Sequence, residues 1–137
     1  MLNFIRLLAV ILFFASCGGE NKTPGNPATD IEVAQAFIRA VLDNKIDKAE
    51  PYLLKNETNL QHLDAFKRSY KTLSPSELES YRKSDIIINE ITPVINDSVT
   101  IVNYSNTFRK DAKNKIKLVR VSGKWLVDLQ YTFSGNM

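Results

Sequence analysis

Residues 116–129 read IKLVRVSGKWLVDL, two β-prone runs on either side of Ser122-Gly123. Two such runs around a two-residue turn are typical of a β-hairpin. With Ser122-Gly123 as the turn, the expected cross-strand pairs are Arg120–Trp125, Leu118–Val127, Ile116–Leu129, Lys117–Asp128 and Val119–Leu126. A turn moved by one residue to Gly123-Lys124 would mix polar and apolar side chains on both faces, so we expect the first register.

This register places Trp125, Val127 and Leu129 on one face of the hairpin. We expect that face to pack on helices, with Arg120 over the indole at its rim. Asp128 then points to the opposite face, toward Lys117.

Further β-prone runs lie at residues 86–88 and 99–104, and the last run is predicted to extend over 125–131. The runs are separated by Asn96-Asp97-Ser98 and by the basic segment 109–115. Together they predict four antiparallel strands. Pro93 interrupts the first strand, and either two or three of residues 96–98 form its loop. The triplet 97–99 also resembles a short bacterial O-glycan acceptor, although Asp-Ser is an ordinary turn pair.

The first half of the chain has helical periodicity. Thr29 and Glu32 can form a capping box, and apolar residues then recur at helical spacing until about Asn44-Lys45. A second short helix is predicted over residues 47–53, and a third apolar stripe covers residues 60–73. A fourth helix is predicted to begin at residues 74–77, a Ser-Pro-Ser-Glu start signal, and to end by Lys83.

Helices followed by strands predict an α+β fold, with N-terminal helices packed on a curved four-stranded antiparallel sheet. Residues 34–53 (AQAFIRAVLDNKIDKAEPYL) resemble the opening of nuclear transport factor 2-like domains, which are cystatin-like and cone-shaped. Residues 118–127 (LVRVSGKWLV) resemble the closing hairpin of that family, specifically in small secreted lipoproteins of unknown function. The resemblance implies a cone that can enclose a ligand.

The N-terminal segment carries an export pattern. After Arg6, residues 7–14 are free of charge, and Ala15 and Ser16 precede Cys17, the only cysteine. A transmembrane helix needs about 20 consecutive apolar residues, and residues 2–15 are too short and broken by Asn3 and Arg6. The pattern resembles a bacterial lipoprotein signal peptide.

That resemblance implies cleavage before Cys17, lipidation of its sulfur and attachment to membrane lipid. The expected location is the bacterial cell envelope. Gly18 stands where the family's inner-membrane retention signal has Asp, so we expect the outer membrane rather than the inner one.

Four regions follow from these patterns. They are a signal peptide (1–16), the lipidated Cys17 with a flexible tether (17–29), the α+β domain (30–131) and a tail (132–137). The tether sequence GGENKTPGNPAT is rich in glycine and proline, and about 12 such residues span roughly 20 Å.

The charge balance argues against nucleic acid as a partner. The chain has 18 basic and 15 acidic residues, net +3, with no cluster of bases interleaved with aromatic residues. The densest basic run, residues 109–115, is expected to be a solvated hairpin loop. A contact to anionic lipid head groups is the alternative.

No catalytic, metal or cofactor site is predicted. His62 and Asp64 are two residues apart on a predicted helix and do not share a face. Asp128 is expected to point away from the helices. The chain lacks a second cysteine or histidine for zinc and lacks a glycine-rich phosphate loop.

Five aromatic residues are the candidate pocket lining: Tyr52, Phe66, Tyr70, Tyr104 and Trp125. They could orient a small apolar ligand, or they could simply fill the core. We expect a non-enzymatic binding or protein-interaction domain, with a small-molecule pocket as the alternative and an isomerase or dehydratase as a further one. An envelope protein is a possible partner, and Val119, Val121 and Leu126 on the outer sheet face are a candidate homodimer surface.

Overall fold

In the computed structural model, which describes residues 29–133, three helices precede the four strands and a short fourth helix follows them. The signal peptide, Cys17 and residues 17–28 and 134–137 therefore lie outside the described residues. The elements are α1 Asp30–Leu42, α2 Glu57–Lys71, α3 Pro75–Lys83, β1 Ile86–Ile95, β2 Val99–Asn106, β3 Asn114–Val121, β4 Lys124–Asp128 and α4 Gln130–Phe133.

The four strands form one antiparallel sheet in the order β1-β2-β3-β4. The helices pack against one face, which we call the inner face, and the other is the outer face. Phe37 and Ile38 of α1 and Leu118 and Val127 of the sheet are fully or almost fully buried. The predicted α+β class, with helices on a four-stranded antiparallel sheet, is confirmed.

The closing hairpin has the predicted register. Arg120 pairs with Trp125, Leu118 with Val127 and Lys117 with Asp128. The Arg120 guanidinium carbon lies 6.0 Å from the centre of the Trp125 ring, as expected at the rim.

The predicted extension of this strand to residue 131 is wrong. β4 ends at Asp128, and Gln130 begins a short helix, so the pair Ile116–Leu129 lies beyond the ladder. Leu129 is nevertheless buried. The chain turns here because the side chain of Asn59 accepts hydrogen bonds from the backbone nitrogens of Leu129 and Gln130, at 3.0 and 3.2 Å.

The helix starts follow the sequence signals. Thr29 Oγ1 accepts from the nitrogen of Glu32 at 3.2 Å, and the Glu32 carboxylate accepts from the nitrogen of Thr29 at 3.1 Å. Ser74 and Glu77 form the same reciprocal pair, and α3 ends at Lys83 as predicted. Each box satisfies amides that a helix N-terminus leaves without intrahelical partners.

The predicted helix over 47–53 is wrong. The chain instead forms two 3₁₀ turns, Ile46–Lys48 and Glu50–Tyr52. Pro51 lacks an amide hydrogen, which disfavours a continuous α-helix. The chain after the second turn lies against the sheet, and the nitrogen of Leu54 donates to the Val127 carbonyl at 2.8 Å.

The first hairpin closes through three residues, because Ile95 pairs with Val99. Asp97 adopts a positive φ of 56°, a conformation that aspartate tolerates better than most residues. β1 continues through Pro93 rather than ending before it. The register shifts directly after that residue, between Pro93 and Ile95, and an edge strand tolerates a proline that cannot donate to a ladder.

Within residues 29–133, none of the helices has the length and apolar character needed to cross a membrane.

Candidate functional site

A partly open cavity of about 230 Å³ lies at one end of the helix-sheet interface. Its apolar floor comes from the C-terminal half of α1, through Ile38, Val41 and Leu42. Its walls come from α2, α3, the end of β2 and the β2–β3 loop. We call it the aromatic cavity, because its walls carry Phe66, Tyr70, Tyr81 and Tyr104.

The spacing of these aromatic residues along their helices and strand places their rings on surfaces that face the cavity. Phe66 and Tyr70 are four residues apart on α2 and therefore project from the same face. The Tyr81 ring of α3 lies 5.8 Å from the Tyr70 ring, tilted by 43°. Tyr104 is two residues beyond the buried Val102 on β2, so both side chains lie on the inner face.

Two tyrosines that line the cavity have hydroxyls without a protein partner in the described part of the chain. Neither the Tyr70 nor the Tyr104 hydroxyl makes a hydrogen bond within residues 29–133, whereas no fully buried side-chain oxygen or nitrogen in that range lacks a partner. Both hydroxyls therefore reach accessible volume. Because both residues line the cavity, the hydroxyls are available to hydrogen-bond a ligand there.

Burial raises the pKa of both tyrosine hydroxyls. Desolvation raises the pKa of Tyr104 to about 12, and burial likewise raises the pKa of Tyr70 above its ordinary value. Both groups stay protonated at neutral pH and can donate a hydrogen bond. A general base would need a pKa moved in the opposite direction, toward the working pH.

The cavity rim is polar and positively charged. Asn106 Oδ1 accepts from the backbone nitrogens of Phe108 and Arg109, at 3.1 and 2.9 Å, and so shapes the start of the loop. The Arg109 guanidinium lies 5.1 Å from the centre of the Phe108 ring, which meets Tyr81 edge-on at 5.0 Å. Arg109 and Asn114 complete the rim, and aspartate, glutamate and histidine are absent from the residues that line this cavity.

The structure brings three of the five predicted pocket residues together in this cavity: Phe66, Tyr70 and Tyr104. Tyr52 lies in the second 3₁₀ turn and Trp125 on β4. Both are partly buried against the core and are not part of the cavity lining.

Sequence reasoning missed Tyr81, Asn106 and Arg109. Tyr81 follows Leu78 by three residues on α3, a spacing that marks an inward helix face and could have identified it. The two rim residues depend on the fold of a loop, for which the sequence offers no periodic signal.

The residues weighed as catalytic candidates lie outside the cavity. His62 is half-buried on α2 and is not among the lining residues. Asp128 Oδ2 lies 3.6 Å from Lys117 Nζ on the outer face, in the predicted pairing. Within residues 29–133, histidine, cysteine and acidic side chains do not gather in groups of three that could hold a metal ion.

A larger groove of about 530 Å³ lies on the outer face, beside the β2–β3 loop. Its walls mix Lys110, Lys113 and Lys115 with Glu90 and Asp111, and the Glu90 carboxylate already accepts from the Asn103 amide at 2.9 Å. The groove is more open than the aromatic cavity and has no aromatic wall. We therefore regard the aromatic cavity as the better candidate, because concave apolar walls with a few polar groups are typical of ligand sites.

Comparison of the chain with protein-family models, with curated proteins and with solved structures finds no match.

Proposed function

We propose that this protein is a lipid-anchored component of the bacterial cell envelope that binds a small ligand in the aromatic cavity without transforming it. The observation that carries the proposal is the pair of Tyr70 and Tyr104, which line the cavity and whose hydroxyls have no protein partner within residues 29–133.

The lining defines the class of ligand. Aromatic walls favour a flat apolar ring, which stacks or meets them edge-on. The protonated hydroxyls donate hydrogen bonds, and Arg109 adds a positive charge at the rim. A ring that carries a carboxylate or another anionic acceptor satisfies both features.

The cavity volume limits the size of the ligand. About 230 Å³ is below the range of roughly 300–1,000 Å³ for drug-sized ligands. A single ring with one polar substituent fits this space, whereas a fused multi-ring ligand would have to displace the walls.

A charge series of probes tests the binding proposal. Benzoate, benzyl alcohol and benzylamine share a ring and differ in charge, and each is titrated into the full chain while backbone amide shifts are recorded. We expect benzoate to bind at roughly millimolar Kd, as suits so small a ligand, and benzylamine to bind more weakly.

Arg109→Gln is the matched variant for this series, because it removes the charge and keeps a long polar side chain. We expect it to weaken benzoate and leave benzyl alcohol nearly unchanged. Equal shifts for all three probes, or shifts that do not involve residues 104–112, would contradict the proposed ligand class.

The proposal also includes lipidation of Cys17 and a nuclear transport factor 2-like cone. The segment preceding Cys17 supports lipidation, and helices on one face of the sheet with a cavity at one end support a nuclear transport factor 2-like cone. Mass spectrometry of protein purified from bacterial membranes tests the anchor. We expect an N-terminus at Cys17 with the mass of an added diacylglycerol; a free thiol preceded by residues 1–16 would refute it.

A further inference from the structure

The chain enters the domain at the end of the sheet opposite the aromatic cavity. The carboxylate of Asp30, the first residue of α1, accepts from the Thr100 hydroxyl at 2.6 Å, and Thr100 is the second residue of β2. The cavity is instead lined by the last residues of β2 and the C-terminal half of α1. Thirteen helical residues rise about 20 Å, so the two ends are roughly that far apart.

Two turns meet beside this chain entry. The β1–β2 turn (residues 96–98) and the β3–β4 turn (residues 122–123) are adjacent, because the nitrogen of Arg120 donates to the Ser98 carbonyl at 2.8 Å. We call the surface formed by these turns and the residues flanking them the tether end.

The tether end has an apolar tip. Six large apolar side chains of the described part of the chain are exposed, and three of them, Val94, Ile95 and Val121, lie here, 55%, 58% and 43% exposed. Val94 and Ile95 precede one turn and Val121 precedes the other. Burial of such side chains away from water is favourable.

The charges around this tip suit an anionic surface. Arg120 and Lys124 flank the second turn and both are exposed. The acidic residues beside them are Asp97, in the first turn, and Asp30, whose carboxylate accepts from the Thr100 hydroxyl. Lipid head groups of the bacterial envelope include anionic ones, and each nearby basic residue adds attraction to them.

We propose that the tether end docks on the lipid surface that holds Cys17, so that the aromatic cavity opens away from the membrane. This inference rests on the proposed lipid anchor. Twelve residues separate Cys17 from Asp30, and a glycine- and proline-rich sequence of that length would span roughly 20 Å, which would give the tip a high effective concentration at the membrane. Three exposed apolar side chains and two cations supply this contact.

Spin labels on the lipidated full chain test the orientation. Cys17 is the only cysteine and is occupied by lipid, so Val94→Cys and Lys110→Cys each supply one labelling site, at the tether end and in the β2–β3 loop. The protein is reconstituted in vesicles of phosphatidylethanolamine and phosphatidylglycerol. Collision rates with oxygen, which concentrates in lipid, and with a water-soluble nickel chelate are then compared.

We expect the label at position 94 to favour oxygen and the label at position 110 to favour the nickel chelate. Ile95→Asp should abolish the oxygen preference at position 94, whereas Leu60→Asp, which changes another exposed apolar residue on α2, should leave it intact.

Three results would overturn the inference. Two labels that both favour the nickel chelate would show that the domain does not touch the bilayer. An oxygen preference at position 110 would show the reverse orientation. Spin–spin broadening at position 94 that grows with protein density would show that a second copy covers the tip. A protein in which Cys17 is not lipidated is recognised separately, because the mass of its Cys17 peptide lacks the added diacylglycerol.

Discussion

At the scale of single residues, Asn59 has the largest structural role that sequence patterns do not reveal. Its side chain is fully buried, donates to the Leu54 carbonyl at 2.9 Å and accepts from two backbone nitrogens at the β4–α4 junction. It joins α2 and the segment just before that helix to the β4–α4 junction, 70 residues further along the chain. A polar residue on a mostly polar helix gives no sign of such burial, which depends on the tertiary fold.

We expect Asn59→Ala to lower the free energy of unfolding by about 3 kcal/mol, because it leaves buried backbone groups without partners. Urea denaturation measures the change. Asn103→Ala is the control, since its amide bonds a carboxylate at an exposed site and should cost less than about 1 kcal/mol. Equal losses for the two variants would contradict the role of Asn59.

Tyr70 should make stability sensitive to alkaline pH. Its pKa is raised by burial, so above pH 10 the unfolded chain loses a proton that the folded chain keeps. The free energy of unfolding then falls by about 1.4 kcal/mol per pH unit as pH rises from 10 toward the folded pKa. Denaturation of wild type and Tyr70→Phe from pH 8 to 11.5 measures this contribution as the difference in slope above pH 10. Parallel curves would show that the hydroxyl is not protected from ionisation.

At the scale of elements, the closing hairpin shows what alternation and turn chemistry can predict. Its register follows from placing polar and apolar side chains on separate faces. The predicted helix over 47–53 failed because a hydrogen bond to the Val127 carbonyl and a proline outweigh local helical spacing. The capping boxes succeeded because their bonds are local and do not depend on the rest of the fold.

A substitution in the turn of this hairpin should stabilise the protein. Ser122 and Gly123 have φ values of 50° and 79°, which asparagine followed by glycine accommodates best. We expect Ser122→Asn to raise the free energy of unfolding by about 0.5 kcal/mol and Gly123→Ala to lower it by about 1 kcal/mol. A Cβ at position 123 would meet no atom within 4 Å, so backbone strain alone causes that loss. Thermal denaturation that moves both variants in the same direction would contradict this account.

Arg39 holds α3 against α1. Its guanidinium donates to the Ser84 carbonyl at 2.7 Å and to two further carbonyls at the end of α3, while Asp43 accepts from its Nε at 2.9 Å. We expect Arg39→Lys to cost about 2 kcal/mol in urea denaturation, because an ammonium cannot reproduce this fork. Arg68→Lys, in an exposed pair with Asp64, should change stability by less than about 0.5 kcal/mol. If Arg39→Lys lowers the free energy of unfolding no more than Arg68→Lys does, the hydrogen bonds from Arg39 do not hold α3 against α1.

At the scale of the whole molecule, the α+β architecture could be predicted from the change of period between the two halves of the chain. The cavity was only partly predictable. Phe66, Tyr70 and Tyr104 carry periodic signals, whereas the rim depends on how the β2–β3 loop folds over the helices. Periodicity identifies inward-facing residues but does not say whether they meet one another or leave a space.

The most direct test of the binding proposal is a benzoate titration that follows backbone amide shifts in three proteins: wild type, Ser69→Leu and Ser76→Leu. Both serines are exposed, but Ser69 belongs to the lining of the partly open cavity and Ser76 lies on α3 outside it. We predict shifts centred on Tyr104, Asn106 and Ala112 that survive Ser76→Leu and are reduced or lost in Ser69→Leu, whose larger side chain obstructs the cavity. Shifts that survive both substitutions, or that are absent at roughly 10 mM benzoate, would contradict a ligand site in the aromatic cavity.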